Sequence, residues 1–520
     1  MDLNLVKDNI DYEQSLGEKS QDMVIKEEYV VPDTLPDVNE ILMLDATPLI
    51  TNKEVMNGKV LVEGQIQFNV LYMAREDENT EAHAITYNTK FNTNLDAPEA
   101  TDDMLCEAKA DMEHIHCVIV NERKICIQGV MNIECEVIKK NSFEIVKHVD
   151  SSNDIQFLKN PMIVDKVVGQ FQGEIIGKTD FKIDMDRPEI GRVVKCFITL
   201  GKKDIRLYDG GIHIETVANV QVLYKAKNSR ELVCVSENVL LTKELEVDQI
   251  SPRMEHNTDF LIHPIEHEVK EDDMGENRIL EVEFLVKTTT NVMSKDEVEM
   301  IEDAYSPNQI IQMEKQDFDM NVVQGNVTNE TLVKGDVELE SEMPRPNKII
   351  MATGTVNITD KKIMEDKVVL EGLLKVDVLY STNDEKDYVA SVSDEIPFTT
   401  NIDVNGAKID MNAICKMYLE MLEASIEAGN ICVRAIVRSY CKVLYTVKKK
   451  FLTEMMPMEG EVPEKKASIT IYVVQPGDTL WQIAKKYCTT KEDIMNINEL
   501  QEEHDIKPMD KLIIPGRAVI

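Results

Sequence analysis

The sequence predicts a mainly β protein: three repeated antiparallel β-rich domains of sandwich type, followed by a small βααβ module. Three observations carry that prediction. A 13-residue segment recurs three times at matching intervals. Within it, apolar and polar residues alternate with the period of a strand. Residues 468–516 break the pattern and show helical spacing behind capping residues instead.

Residues 60–72 read VLVEGQIQFNVLY, residues 212–224 read IHIETVANVQVLY, and residues 368–380 read VVLEGLLKVDVLY. Each closes on Val-Leu-Tyr and carries a glutamate at the same place, Glu63, Glu215 and Glu371. The closing tyrosines are 152 and 156 residues apart. A proline precedes each segment, Pro36, Pro188 and Pro346, with the tyrosine 36, 36 and 34 residues later. In the first copy Val60, Val62, Ile66, Phe68 and Val70 share one face, with Glu63, Gln65, Gln67 and Asn69 on the other. Thirteen residues is long for a strand, so Gly64 and Gly372 near the middle are expected to mark a bulge or bend.

Each repeat then ends in a hairpin-like pair. Residues 114–120 and 124–138 flank Asn121-Glu122-Arg123, and residues 422–427 and 431–444 flank Ala428-Gly429-Asn430. In the second repeat the turn is the acidic stretch 270–277. Short alternating runs split by polar turns predict antiparallel domains. The expected boundaries are 1–154, 155–305 and 306–452. The Pro-, Gly- and charge-containing stretch 453–467, TEMMPMEGEVPEKKA, reads as a linker.

Composition excludes several function classes. The chain has 520 residues, with Lys+Arg 57 against Asp+Glu 95 and a formal charge of −38. Nucleic-acid binding needs a basic stripe, and anionic membrane surfaces attract polybasic segments; neither fits. No window approaches the length of an apolar membrane helix. The opening residues, MDLNLVKDNI, lack the basic and apolar regions of a secretory signal, so the expected location is cytoplasmic. Ten cysteines without a CxxC pair are expected as free thiols of a reducing compartment. Cys126 with Cys135 and Cys432 with Cys441 fall at matching places in two repeats, which repeat homology explains. His114 with His116 and His263 with His267 have no companion ligand at zinc spacing, so no metal or other cofactor is expected. No GxSxG, P-loop or GxGxxG is present, and the expectation is that the chain is not an enzyme. Acidic runs such as Glu76-Asp77-Glu78 and Glu271-Asp272-Asp273 read as solvated turns.

In the tail, residues 469–474 form a β-rich run and Gln475-Pro476-Gly477-Asp478 a turn. Thr479 caps a helix through Leu480, Ile483, Ala484 and Tyr487, and Thr490 caps a second containing Ile494 and Ile497. Residues 511–514 give a closing strand before Pro515. The runs YVVQPGDTLWQIA, Asn498-Glu499-Leu500 and KLIIP resemble a LysM domain. That resemblance implies binding of N-acetylglucosamine glycans such as peptidoglycan, in a groove between the Gly477, Asp478, Thr479, Leu480 turn and the loop after the second helix. Trp481, Lys485, Asn498, Lys507 and Met509 complete the candidate groove. Where Met509 stands, a glycine is the family expectation; methionine places a soft apolar side chain there, which suits a protein contact better than a sugar. The stretch Gln501-Glu502-Glu503-His504-Asp505 makes this rim acidic. Trp481 is the sole tryptophan. It is out of phase with the apolar face of its helix, so two roles stay open, framework residue and partner contact.

The repeats resemble the SPOCS domain associated with the spore coat, with Glu395-Ile396-Pro397-Phe398 as a family-like run. Repeats of it followed by one LysM domain resemble the SipL-like family of spore coat morphogenesis proteins. This implies a mother-cell cytoplasmic scaffold that docks a coat-basement ATPase of the SpoIVA type, and other coat proteins, at the forespore surface through LysM. The alternative is a peptidoglycan-binding LysM protein of the cell wall or spore cortex. Residues 468–520 hold six basic and eight acidic side chains, a net of −2, which leaves −36 on the rest of the chain. A nearly neutral tail can approach an anionic partner that the repeats repel.

Overall fold

The computed structural model describes residues 4–76, 79–150, 155–384, 388–458, 460, 469–502 and 505–515. Asp77 and Glu78 of the first acidic run, Glu503 and His504 of the tail, and residues 459 and 461–467 of the expected linker lie outside the described residues. The first unit runs β1 (Asn4–Val30), β2 (Val38–Met56), β3 (Lys59–Glu76), β4 (Asn79–Asp96), β5 (Leu105–Asn121) and β6 (Lys124–Asp150). It forms two antiparallel three-stranded sheets, β1-β6-β5 and β2-β3-β4. The second unit runs β7 (Gln156–Lys182), β8 (Ile190–Tyr208), β9 (Gly211–Ala226), β10 (Leu232–Glu246), β11 (Glu255–Ile262), β12 (Glu266–Glu271) and β13 (Asn277–Tyr305). It pairs β8-β9-β10 and sets β7, β11 and β12 against β13. The gap between β11 and β12 contains Pro264, which has no N–H to give a ladder. The third unit runs β14 (Ile311–Val337), β15 (Lys348–Met364), β16 (Lys367–Ser381), β17 (Val389–Asp403), β18 (Asn412–Glu427) and β19 (Asn430–Pro457). It pairs β14-β19-β18 and β15-β16-β17.

The signature segments are thus the central strands β3, β9 and β16 of the three corresponding sheets. Their inward face builds each sandwich core: Val60, Val62, Ile66, Phe68, Val70 and Tyr72 are all buried in the first unit. The tyrosine closes each sandwich. The hydroxyls of Tyr72, Tyr224 and Tyr380 donate to the carbonyls of Pro36, Pro188 and Pro344 at 3.1, 3.0 and 3.1 Å. A buried phenol needs an acceptor, and this one follows a turn closed by the preceding residue: Leu35 onto Pro32, Arg187 onto Asp184, Met343 onto Glu340. In the third copy the acceptor is Pro344 rather than Pro346, so the separation is 36 residues in every copy.

Gly64 and Gly372 do not bulge their own strands, contrary to the sequence-based expectation. Gly64 lies directly opposite Phe91, and Gly372 opposite Phe398. A Cβ at either position would run into that ring, so the cross-strand phenylalanine lies over the glycine. The bulge sits on the other neighbour, between Ile50 and Asn52 in β2 and between Ile358 and Asp360 in β15.

The three units also share apolar surfaces. Leu71, Leu223 and Leu379, the middle residues of the three Val-Leu-Tyr motifs, point away from their own cores and meet in one buried cluster. Leu42, Val194 and Ile350, each the extra residue at a register shift, join them, as do Ala82, Leu232 and Val389. Equivalent residues from all three units surround one centre, so the units are related by an approximate threefold arrangement.

The outer halves of the long strand pairs β1/β6, β7/β13 and β14/β19 continue beyond the sandwiches as three two-stranded ribbons. They bury two clusters, one of Ile145, Met300 and Phe451 and one of Val146, Ile301 and Leu452; in the first, Phe143 and Phe318 stack and Tyr12 meets Phe143 edge-on. Two adjacent residues of one strand cannot both face inward without a bulge. Each ribbon supplies one just beyond that pair, between Val6 and Lys7, between Ile301 and Asp303, and between Glu314 and Lys315. The result is a six-stranded stalk. Its packing also explains a difference from the sequence reading: residues 453–457 of the expected linker are the end of β19, because Met455 is buried against Val149 and Ala304.

Candidate functional site

The tail module follows the stalk: β20 (Ile469–Val473), α1 (Leu480–Lys486), α2 (Lys491–Ile497) and β21 (Lys511–Pro515). The two strands pair antiparallel, and Leu480, Ile483, Ala484, Ile494, Leu512 and Ile514 form the core. Its turn chemistry is explicit. Gly477 has φ +90°, a conformation that favours glycine. The Asp478 carboxylate accepts from the Gln475 N–H at 2.8 Å and the Tyr472 hydroxyl at 2.6 Å, closing the turn. Thr479 and Gln482 form a capping box at the start of α1. Thr490 caps α2 through the Asp493 N–H at 3.0 Å. Asn498 donates to the Ile494 and Ile513 carbonyls and accepts from the Ile513 N–H at 2.7 Å, which fastens α2 to β21.

The two sides of the candidate groove do meet. The Met509 N–H donates to the Val474 carbonyl, and the Val474 N–H to the Asp510 carbonyl, both at 2.9 Å. This sets the loop bearing Lys507 and Met509 beside the strand that leads into the Gly477 turn. Met509 has φ 78°, the region where a side chain is strained, and its side chain is 78% exposed. That is the physical reason a glycine was expected there. Gly477 and Lys507 are exposed too. Leu480, by contrast, is a core residue, and Asp478, Thr479 and Asn498 are engaged in holding turn, helix and strand together.

Trp481 and Lys485 go elsewhere. The Trp481 ring is buried in one cluster with its own module's core residues and with Tyr305 at the tip of the second ribbon. It meets Tyr305 edge-on with centroids 4.8 Å apart, and its Nε1–H donates to Asp303 at 3.0 Å. Lys485 reaches both Asp303 oxygens at 2.8 and 2.7 Å, and Lys315 reaches the same carboxylate at 2.9 Å. The Tyr305 hydroxyl donates to the Thr489 carbonyl at 2.7 Å, and Leu158 packs beside it. Of the two roles left open for Trp481, these contacts are those of a packing residue, and Lys485 is paired within the chain: an indole with a ring and a carboxylate within reach buries its polar edge as well as its face. Burial works against the Asp303 charge, but hydrogen bonds from Lys485, Trp481 and Lys315 outweigh it and hold the carboxyl below its ordinary range. Desolvation pushes the Tyr305 phenol up. Sequence reasoning missed Leu158, Asp303 and Tyr305. The only signal was an aromatic and an acid at the end of the second repeat.

At the end opposite the stalk, a cleft of about 500 Å³ between the first and second units is lined by Glu81, His83, Arg192, Lys225, Lys227 and Arg230 among others. Its cations are engaged within the protein: Lys225 with Glu81, Lys227 with Glu189 at 3.1 Å, Arg192 with the Ala82 carbonyl at 3.2 Å, and Arg230 over the Tyr388 ring at 5.1 Å. The cleft is a joint between units. Among the described residues, no group of three His, Cys, Asp or Glu is arranged to hold a metal ion, and no helix is long and apolar enough to cross a membrane.

Comparison with known families agrees with this division. The family described as SipL, SPOCS domain, matches residues 37–120, 189–270 and 346–427, and the LysM domain family matches residues 472–515. Each SPOCS match opens beside the first strand of the β2-β3-β4 type of sheet. No curated protein and no solved structure matches the chain.

Proposed function

The chain is three SPOCS domains followed by a C-terminal LysM domain, the SipL-like architecture, and from that premise we propose that it is a non-enzymatic scaffold of the spore coat. The two domain types support a sporulation- or coat-associated LysM protein. In the finer reading, the LysM domain docks a coat-basement ATPase of the SpoIVA type at the forespore surface, in the mother-cell cytoplasm, while the three β units carry other coat contacts.

The combination of the two domain types carries the proposal, and the LysM surface supports the choice of a protein partner. Ile469 is 60% exposed, Ile471 66% and Met509 78%. Large apolar side chains concentrated on a small module favour a protein contact. Its near-neutral charge fits the same role, since the remainder of the chain carries almost all of the −38. The competing reading, a glycan-binding LysM protein of wall or cortex, rests on the LysM match itself.

The test is co-purification of the ATPase with the full chain and with a chain ending before residue 468, beside a pull-down on peptidoglycan. Retention of the ATPase by the full chain alone supports the proposal. Equal retention by both moves docking to the β units, and retention of the full chain on glycan alone favours the competing reading. A fluorescent fusion should collect at the forespore during sporulation.

A further inference from the structure

The three ribbons of the stalk are built alike, yet only one of them receives the LysM domain. The positions that correspond to Asp303 are His148 and Glu454, one residue beyond the register shift in each ribbon. Those that correspond to Tyr305 are Asp150 and Met456. The position of Leu158 is held by Val6 and Glu314. No other ribbon offers an apolar residue, a carboxylate and a phenol in that order. The carboxylate is specific as well: Asp303 gathers an indole N–H, Lys485 of the LysM domain and Lys315 of the third ribbon. Asp303 thus links the module on its own ribbon to Lys315 of the third.

The seat also covers chemistry that would otherwise be exposed. Trp481 is 5% exposed and packs on Tyr305, while Lys485 spends its charge on Asp303. Tryptophan is one of the side chains that most often anchor a protein contact. Here it is spent inside the chain, while Ile469, Ile471 and Met509 stay exposed.

We propose that the stalk tip is an autoinhibitory seat for the LysM domain: Leu158, Asp303 and Tyr305 hold the Trp481–Lys485 face closed, and a partner gains that face only when the module lifts off. This rests on the reading that the LysM domain docks a protein. The first encounter would use the apolar residues left exposed, and the second would exchange Asp303 and Tyr305 for groups of the partner. A face available for about one-tenth of the time weakens apparent affinity about tenfold, and a mutation that opens the seat restores that factor.

The experiment uses the full chain and its only tryptophan. Acrylamide quenching of Trp481 fluorescence is measured for the wild type, Asp303→Asn and Tyr305→Ala, with circular dichroism confirming that each is folded. Asp303→Asn keeps the shape of the side chain, so it reports on the seat even where Tyr305→Ala disturbs the ribbon. The expected result is weak quenching in the wild type, a red shift in both variants, and a quenching constant higher by up to about tenfold. Binding of each chain to the coat ATPase is then titrated, and the variants should bind about tenfold tighter. Equal quenching in all three chains overturns the seat. Open variants that bind with unchanged or weaker affinity overturn the autoinhibition. Failure of wild type and variants alike to bind, with the quenching difference intact, removes the ATPase reading and leaves the seat standing.

Discussion

Replacing Tyr224 by Phe deletes one oxygen from the middle of the second unit and nothing else. The ring is fully buried and its hydroxyl donates to the Pro188 carbonyl at 3.0 Å. Phenylalanine fills the same space, so no cavity term arises. What is lost is one hydrogen bond, about 1 kcal/mol net, together with part of the cost of a buried carbonyl left without its donor, about 1–3 kcal/mol. The expected destabilisation is about 1–2 kcal/mol, or roughly five- to thirtyfold in the local opening equilibrium. A global melt of a multi-domain chain mixes several transitions, so hydrogen exchange is the better assay. Amides of the turn closed by Arg187 and of the facing end of β9 should lose protection by that factor, while the other two units keep theirs. Tyr72→Phe and Tyr380→Phe are internal replicates, because their hydroxyls donate to Pro36 and Pro344 at 3.1 Å. Unchanged protection around residues 184–190 would refute the latch, and so would a loss spread evenly over all three units.

Four further outcomes follow. Leu379→Ala empties part of the cluster between the units and should cost about 2–5 kcal/mol, seen as earlier urea unfolding and as proteolysis between units. Gly372→Val should drive the Phe398 ring off its place and destabilise the third unit alone, again by exchange. Lys203 is pushed down to about 8 by burial, opposed by Asp259 and Glu420 and aided by Arg438 and Lys416. The unfolded chain thus binds the proton more tightly, and stability should rise as pH increases from about 8 towards 10; Lys203→Met should remove that slope. Asp303 has the same sense in a more acidic window. Its lowered carboxyl, faced by Lys485, Lys315 and Trp481, gives stability that is present at neutral pH and lost as pH falls through its folded pKa. Trp481 emission should shift red below about pH 4, and Asp303→Asn should show that emission already at pH 7.

Much of each sandwich was legible. The alternation in residues 60–72 gives the buried face of β3 residue by residue, and the threefold recurrence places β9 and β16 in the same role. The LysM caps, Thr479 and Thr490, were legible for the same reason: they act through neighbours a few residues away. Three things were not. Leu71, Leu223 and Leu379 lie on the face that reads as polar, and only the run of three apolar residues in Val-Leu-Tyr hints that both faces are buried. The stalk depends on strands of 27 to 29 residues whose inward pairs step across bulges, so period two fails there. The LysM seat couples Asp303 to Lys485, 182 residues away. No local pattern encodes a contact between two units that each look complete alone. The pair Cys415 and Cys441, with sulfurs 3.5 Å apart, illustrates the converse. The same cross-strand place holds Thr258 and Thr290 in the second unit, with their hydroxyls 3.0 Å apart, and Ala108 and Cys135 in the first, so the position takes small side chains rather than a thiol pair.

The ribbons impose an order of assembly. Asn4 pairs with Asp150, Gln156 with Tyr305, and Ile311 with Pro457, so the first strand of each unit waits for its last. Pairings between residues so far apart in sequence are slow to form, because the intervening loop must close before any contact rewards it. During synthesis a unit cannot finish its ribbon until nearly its whole length has left the ribosome, and the stalk core must wait for Phe451 and Leu452 of the third. Until then each half-built ribbon exposes an unpaired apolar edge, a template for pairing with a neighbouring chain. The LysM domain emerges after all of this. It meets its seat only on a stalk whose three ribbons have already closed.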